Sequence, residues 1–159
     1  MDLRELRGRW GTAPDVDDLS ELLARLLAQH GIRTITALCS VTPATAKRWA
    51  KGVTAPNRAN IARLLFVEMT SRMISYRDSE RVAATWFTMP NPWLRDNVPV
   101  RVLASSDPGS SEWDTVAQAA ARFTFGQPAD CALTDDASRV PRVSAPVVPK
   151  EERRGSDAG

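Results

Sequence analysis

RTITALCSVTPATAKRWAKG, residues 33–52, contains the parts of a helix-turn-helix. Its pattern predicts a short helix over residues 34–39 and a second helix over residues 43–51. Thr42 is a favourable N-cap residue, Pro43 suits the first helical position because no N–H is needed there, and Gly52 stops the helix. In a helix-turn-helix the second helix presents its side chains to the DNA major groove. We therefore interpret residues 31–53 as a DNA-binding motif.

The charge of this segment supports that interpretation. The chain has 159 residues and a net charge of only +2, yet residues 31–67 contain six basic residues and no acidic one. Such a concentration is expected where a phosphate backbone docks. The basic residues are Arg33, Lys47, Arg48, Lys51, Arg58 and Arg63. The motif also has a small apolar core of its own, formed by Ile35, Cys39, Val41, Ala46 and Trp49.

The residues expected to contact DNA differ in their roles. The hydroxyl groups of Thr42 and Thr45 can donate to phosphates near the helix N-terminus, which favours anions. The side chains of the second helix reach either base edges or phosphates, and Arg48 is best suited to a bidentate contact with guanine. Arg33 and Arg58 flank the groove and touch phosphate. The complete predicted set is Arg33, Thr42, Ala44, Thr45, Lys47, Arg48, Lys51 and Arg58.

The rest of the chain is also helical, so we expect an all-α fold. Asp15 can cap a helix whose apolar stripe is Leu19, Leu22, Leu23, Leu26 and Leu27, and Gly31 ends it. A longer helix over residues 58–76 has as its apolar side Ile61, Leu64, Leu65, Met69 and Met73. These elements define an N-terminal arm over residues 1–14 and a DNA-binding domain over residues 15–77.

Residues 78–126 are expected to form a second small helical domain. Helices are predicted over residues 79–87, 98–104 and 112–125, and the prolines of residues 89–92 separate the first two. Ser111 and Asp114 make a capping-box pattern for the last helix. That helix is expected to bury one apolar side, made of Trp113, Val116, Ala120 and Phe123. Residues 127–159 have no periodicity and several prolines, which predicts a flexible tail.

The sequence lacks the features that characterise enzymes, metal-binding proteins and membrane proteins. The only histidine, His30, lies at the end of a helix as a cap or in solvent, and no catalytic triad, glycine-rich phosphate loop or metal-ligand cluster is visible. We therefore expect no enzymatic activity, no cofactor and no metal. Cys39 is expected to be a buried small apolar residue, and a disulfide with Cys131 is not expected. No membrane span or signal peptide is visible, which favours the cytoplasm.

The helix-turn-helix resembles the Xre/lambda-repressor type, including Trp49, the following Gly52, and Pro56 beyond it. At the turn, where that family has glycine, this chain has Ser40, which fits if the local φ is not strongly positive. Residues 81–103, RVAATWFTMPNPWLRDNVPVRVL, resemble the C-terminal domain of Xre/MbcA/ParS-type antitoxins. The matching residues are Trp86, Asn91, Leu94, Pro99 and Leu103, followed by the ending RFTFG at residues 122–126. Arg95 and Asp96 stand where that family often has glycine.

The resemblance implies a type II antitoxin whose partner is a RES-domain toxin, similar to those that degrade NAD. Its second domain would bind the toxin, with Trp93, Asn91, Arg95 and Arg101 as the contact residues. Trp93 is equally compatible with the protein core. The family reading also suggests that part of residues 127–159 orders on the toxin, although a solubilising tail explains the same composition. We expect a homodimer that reads a near-palindromic double-stranded DNA operator.

Two other functions remain open on the sequence. A phage- or plasmid-type repressor would use the second half only for dimerisation, and would bind an operator without a toxin partner. A structural adaptor would use a degenerate helix-turn-helix to bind protein, and would have no salt-dependent affinity for DNA.

Overall fold

The computed structural model describes residues 16–126. This part of the chain is all-α, as predicted, and contains no β-strand. A single turn of 3-10 helix, Pro92–Leu94, lies between the fourth and fifth helices. The helices are α1 (Val16–Cys39), α2 (Pro43–Ala50), α3 (Arg58–Arg77), α4 (Glu80–Thr88), α5 (Pro99–Ser105) and α6 (Ser111–Phe125). The predictions for residues 1–15, including the Asp15 cap, and for the tail at 127–159 lie outside the described residues.

Helix α1 is interrupted at Gly31, as the sequence predicts. Gly31 has φ 79° and ψ 159°, a conformation far from helical. This region of φ/ψ space is essentially restricted to glycine because any Cβ would clash with the backbone. The leucine stripe before the break and the helix-turn-helix after it therefore follow different axes within one continuous segment.

The described helices share one hydrophobic core. Leu23 and Leu26 of α1, Leu64 of α3, Phe87 of α4 and Leu103 of α5 are fully buried in the same cluster. Helix α1 packs against α2, α3, α4 and α5, and α6 packs against α3 and α5. Residues on both sides of position 77 therefore contribute to one compact unit.

The apolar side of α3 differs from the prediction. Of the five residues expected to face the core, only Leu64 is buried, while Ile61, Leu65, Met69 and Met73 are partly buried. The buried side combines apolar and small polar residues, namely Asn60, Leu64, Phe66, Val67, Thr70, Ser71 and Ile74. Sequence reasoning missed this side because it includes polar residues, of which Asn60 accepts from Arg63 and Ser71 is hydrogen-bonded to His30. Helix α3 thus has two apolar faces.

Two predictions for α6 are wrong. Phe123 is 39% exposed, and Thr124 is buried in its place. The buried positions 113, 116, 120 and 124 keep the helical spacing, and the Thr124 hydroxyl donates to the Ala120 carbonyl at 2.9 Å. The capping box is also absent, because Ser110 rather than Ser111 is the N-cap residue and its side chain makes no capping hydrogen bond.

His30 is buried, contrary to the expectation of a cap or solvated position. Its Nε2 lies 2.9 Å from the Ser71 Oγ of α3, and its ring packs edge-on against Phe87 of α4 at 5.4 Å. Burial lowers the pKa of His30 to about 4. The negative charge of Glu68 acts in the other direction, to raise this pKa, but its effect is smaller. Because Ser71 is also buried, this pair lies in the interior and joins three helices.

This burial predicts a pH-dependent stability. The unfolded chain takes up a proton on His30 below pH 6.5, whereas the folded chain does so only near pH 4, so stability is lost as the pH falls through this window. The free energy of unfolding should fall by about 2 kcal/mol between pH 7 and pH 5. Urea unfolding at each pH measures it. In the His30→Gln variant this decrease should be absent, and an equal decrease there would contradict the assignment.

Candidate functional site

Helix α2 is held by its buried side. Ala46 and Trp49 are buried against Ile35 and Cys39 of α1, and Val41 is partly buried beside them. This confirms the small core predicted for the motif. Burial raises the pKa of the Cys39 thiol to about 12, so it acts there as a small apolar group. The anchoring leaves the opposite side of α2 facing solvent.

The turn before α2 is tight and strained. Ser40 has φ 54°, in the left-handed region, so the condition under which serine would fit without strain is not met. The turn is closed by the Val41 N–H, which donates to the Thr36 carbonyl at 3.1 Å. Left-handed backbone costs a non-glycine residue roughly 1–2 kcal/mol. The serine therefore adopts the conformation for which glycine is the usual residue.

The N-terminus of α2 is capped as predicted. The Thr42 Oγ1 accepts from the Thr45 N–H at 3.3 Å, and Pro43 occupies the first turn. The two threonine hydroxyls lie 3.0 Å apart, so one donates to the other. The remaining hydroxyl proton is free to meet an anion. No acidic residue occupies this first turn, so the positive end of the helix dipole is uncompensated.

The outer side of α2 is a row of exposed residues at helical spacing. Ala44, Lys47 and Arg48 lie on one face, and Lys51 continues it just beyond the helix end. Within residues 16–126, none of these three cations forms an ion pair. We call Ala44, Lys47, Arg48 and Lys51 the α2 face. It presents three unpaired positive charges and one small residue, which allows close approach of a ligand.

The other predicted cations lie on neighbouring elements. Arg33 is exposed on the last turns of α1, and Arg58 is exposed as the first residue of α3. Arg63 has a different role, because its guanidinium donates to the carbonyls of Leu103 and Ser106 at the end of α5. Of the six basic residues in residues 31–67, Arg63 therefore stabilises the fold.

The loop after α4 is organised by Asn91. Its side-chain oxygen accepts from the Trp93 N–H at 3.0 Å, and its backbone carbonyl accepts from the N–H groups of Leu94 and Asp96. Asn91, predicted to contact a partner, is only 5% exposed. Its visible role is to shape the loop that carries Trp93.

Arg95 and Asp96 both have left-handed backbone, with φ 54° and 61°. The Arg95 N–H donates to Pro92, and the Asn97 side chain donates to the Leu94 carbonyl, so hydrogen bonds hold the loop in this form. The loop therefore has the shape that glycines would favour, although it has none. Arg95 is exposed at its tip, and Arg101 is exposed on α5.

Trp93 borders an apolar cleft of about 380 Å³. The cleft is also lined by Trp86, Met89 and Phe123, together with the charged Arg81. Trp93 is partly buried, and Met89 is 55% exposed. Sequence reasoning missed Met89 and Phe123. Phe123 keeps the helical spacing of the buried Val116, Ala119 and Ala120, so the sequence contained no signal for its exposure.

Among residues 16–126, no three acidic, histidine or cysteine side chains are grouped so that they could hold a metal ion. None of the helices in the same segment is long and apolar enough to cross a membrane.

Comparison with protein-family models, curated proteins and solved structures gave no match to this chain.

The strained turn gives a matched pair of substitutions. Ser40→Gly should raise the free energy of unfolding by about 0.5–1 kcal/mol, because glycine relieves the left-handed strain but has more freedom when unfolded. Gly52 also has positive φ, 67°, and open space around it, so Gly52→Ala should lower stability by about 1 kcal/mol. Urea unfolding checks both. A loss of stability in Ser40→Gly would contradict the strain argument.

Proposed function

We propose that this chain is the antitoxin of a type II toxin–antitoxin system. It neutralises a RES-domain, NAD-degrading toxin and represses its own operon through the helix-turn-helix. The main support for DNA binding is the α2 face, whose three cations form no ion pair within residues 16–126 and lie on a helix anchored by Trp49. The partner is proposed from the resemblance of residues 81–126 to the family's toxin-binding domain.

The DNA contact follows from charge and shape. The α2 face enters the major groove, Arg48 meets base edges, and Lys47 and Lys51 neutralise phosphates. The free hydroxyl of the Thr42–Thr45 pair donates to a phosphate at the helix N-terminus. Arg33 and Arg58 extend the contact to the backbone on either side of the groove. A helix face that merely contacts solvent would also carry charged residues. Here, however, residues 31–67 contain no acidic residue to balance the basic ones.

The toxin contact is proposed at the cleft beside Trp93. Tryptophan and arginine are enriched among the residues that dominate binding energy at interfaces. Trp93 borders an apolar cleft, with Arg95 exposed two residues further along the chain. The left-handed backbone at Arg95 and Asp96 is a cost of the kind that persists at binding sites. The exposed cleft and the strained loop adjoin each other.

A stand-alone repressor is the second candidate. It is favoured by the single core, because α4, α5 and α6 bury Phe87, Leu103 and Trp113 against the helices of the DNA-binding half. Folding alone thus explains most of the aromatic residues in the second half. The two candidates share the DNA contact and differ in whether a toxin is bound.

DNA binding is tested with the segment upstream of the gene. Arg48→Ala should weaken affinity by about 1–3 kcal/mol and relax specificity at one base position, as measured by fluorescence anisotropy on a set of variant sequences. If a dimer neutralises six to ten phosphates, wild-type affinity should fall about 10³–10⁵-fold between 50 and 200 mM salt. Arg77→Ala is the control, since Arg77 is exposed at the far end of α3. An affinity for DNA that does not depend on the salt concentration would favour the structural adaptor.

Toxin binding is tested by co-expression with the product of the adjacent gene. The wild-type chain should form a stoichiometric complex and relieve growth arrest. Trp93→Ala should weaken the complex at least tenfold, as expected for a central aromatic anchor. Met89→Glu should do the same from a more exposed position, which separates loss of binding from loss of folding. A chain that binds its operator but no neighbour would support the stand-alone repressor.

A further inference from the structure

Helix α3 carries a second apolar face that the described residues cover only in part. Leu65, Met69, Met73 and Tyr76 follow one another at spacings of four, four and three residues, so they share one side of the helix. Tyr76 is 87% exposed. The core uses the other side of α3, through Leu64 and its neighbours. A helix that is apolar on two sides packs against two partners.

Neighbouring helices widen this face into a groove. Leu22 of α1 and Phe125 of α6 lie beside the α3 residues, and the groove has a volume of about 890 Å³. Phe125 is 61% exposed. We call Leu22, Leu65, Met69, Met73, Tyr76 and Phe125 the α3 groove. Large contiguous apolar surfaces of this kind mark interaction sites in folded proteins.

The rim of the α3 groove carries both signs of charge. Asp18 and Glu21 of α1 are exposed and form no ion pair with another described residue. Further along, Arg25 and Arg72 share Glu68, at 2.8 and 2.6 Å. Two cations on one carboxylate leave one positive charge uncompensated, and the Arg72 side chain is 71% exposed. The groove therefore has an acidic end and a basic end.

We propose that the occupant of the α3 groove is a second copy of this chain. In a two-fold contact the same patch meets itself in reverse, so a surface with one acidic and one basic end is complementary to its own copy. The acidic end, Asp18 and Glu21, then faces Arg25 and Arg72 of the other copy. Tyr76 and the methionines form the apolar part of the contact, and such parts of interfaces are depleted in charge.

The position of the groove agrees with DNA binding by both copies. Its walls come from α1, α3 and α6, and α2 contributes no residue to it. Pairing through the α3 groove leaves both α2 faces uncovered, as a palindromic operator requires. This use of the dimer rests on the proposed function. The pairing itself is measured without DNA or toxin, so its failure is distinguishable from failure of the antitoxin proposal.

The first experiment is sedimentation velocity of the full chain over a range of concentrations. Tyr76→Ser should raise the dimer dissociation constant at least tenfold, because it removes a large, exposed aromatic side chain from the contact. Met89→Gln is the matched control, since Met89 is also an exposed apolar residue but belongs to the cleft beside Trp93. The control should dimerise like the wild type. Thermal unfolding verifies that each variant is folded.

The second experiment exchanges the charges. Arg72→Glu makes both ends acidic, and the double variant D18R/E21R makes both ends basic. Each variant alone should dimerise at least tenfold more weakly than the wild type, because like charges then face each other. An equimolar mixture should recover the wild-type dissociation constant as a heterodimer. Raised salt should weaken the mixed dimer.

Three results would overturn the proposal. A chain that stays monomeric at 100 µM would leave residues 1–15 or 127–159 as the occupant of the groove. A dimer that is insensitive to Tyr76→Ser and to the charge exchange would use another surface. A dimer that is broken by Met89→Gln would place the contact at the cleft beside Trp93.

Discussion

The backbone conformation of Gly31 is the constraint on which the rest of the structure depends. With φ 79° and ψ 159°, it turns the chain out of the leucine-rich part of α1 and directly into the helix-turn-helix. Only glycine adopts this conformation without large strain. The neighbouring His30 ties the same point to α3 and α4 through Ser71 and Phe87. The orientation of the α2 face relative to the core follows from this junction.

A single core then supports two exposed surfaces of different chemistry. Trp49 and Ala46 attach α2 to α1, so the cations of the α2 face have a rigid base. The same core holds α4 and α6, which form the apolar cleft beside Trp93. Because both surfaces rest on shared helices, a substitution in the core affects both of them. Surface substitutions are needed to separate their functions.

Strained backbone occurs beside both of these surfaces. Ser40 precedes the α2 face, and Arg95 and Asp96 follow Trp93, all three with left-handed φ. Each costs roughly 1–2 kcal/mol relative to glycine. Backbone hydrogen bonds from Val41 and Asn97 close these turns and keep their shape. The chain thus forms tight turns without the glycines that usually occupy them, while retaining side chains that can take part in binding.

Local chemistry made much of the fold predictable. The Thr42 cap, Pro43, the break at Gly31 and the leucine stripe of α1 depend on neighbours within a turn or two, so residue type and spacing reveal them. The two faces of α3, the burial of His30, the exposure of Phe123 and the structural use of Arg63 depend on residues about 40 positions or more away. Polar residues such as His30 and Ser71 lie inside the core and apolar residues such as Tyr76 and Phe123 lie outside it, and periodicity does not contain that information. Residue order therefore specified the helices and their ends, whereas long-range packing assigned each helix face to core or surface, because burial depends on what lies opposite.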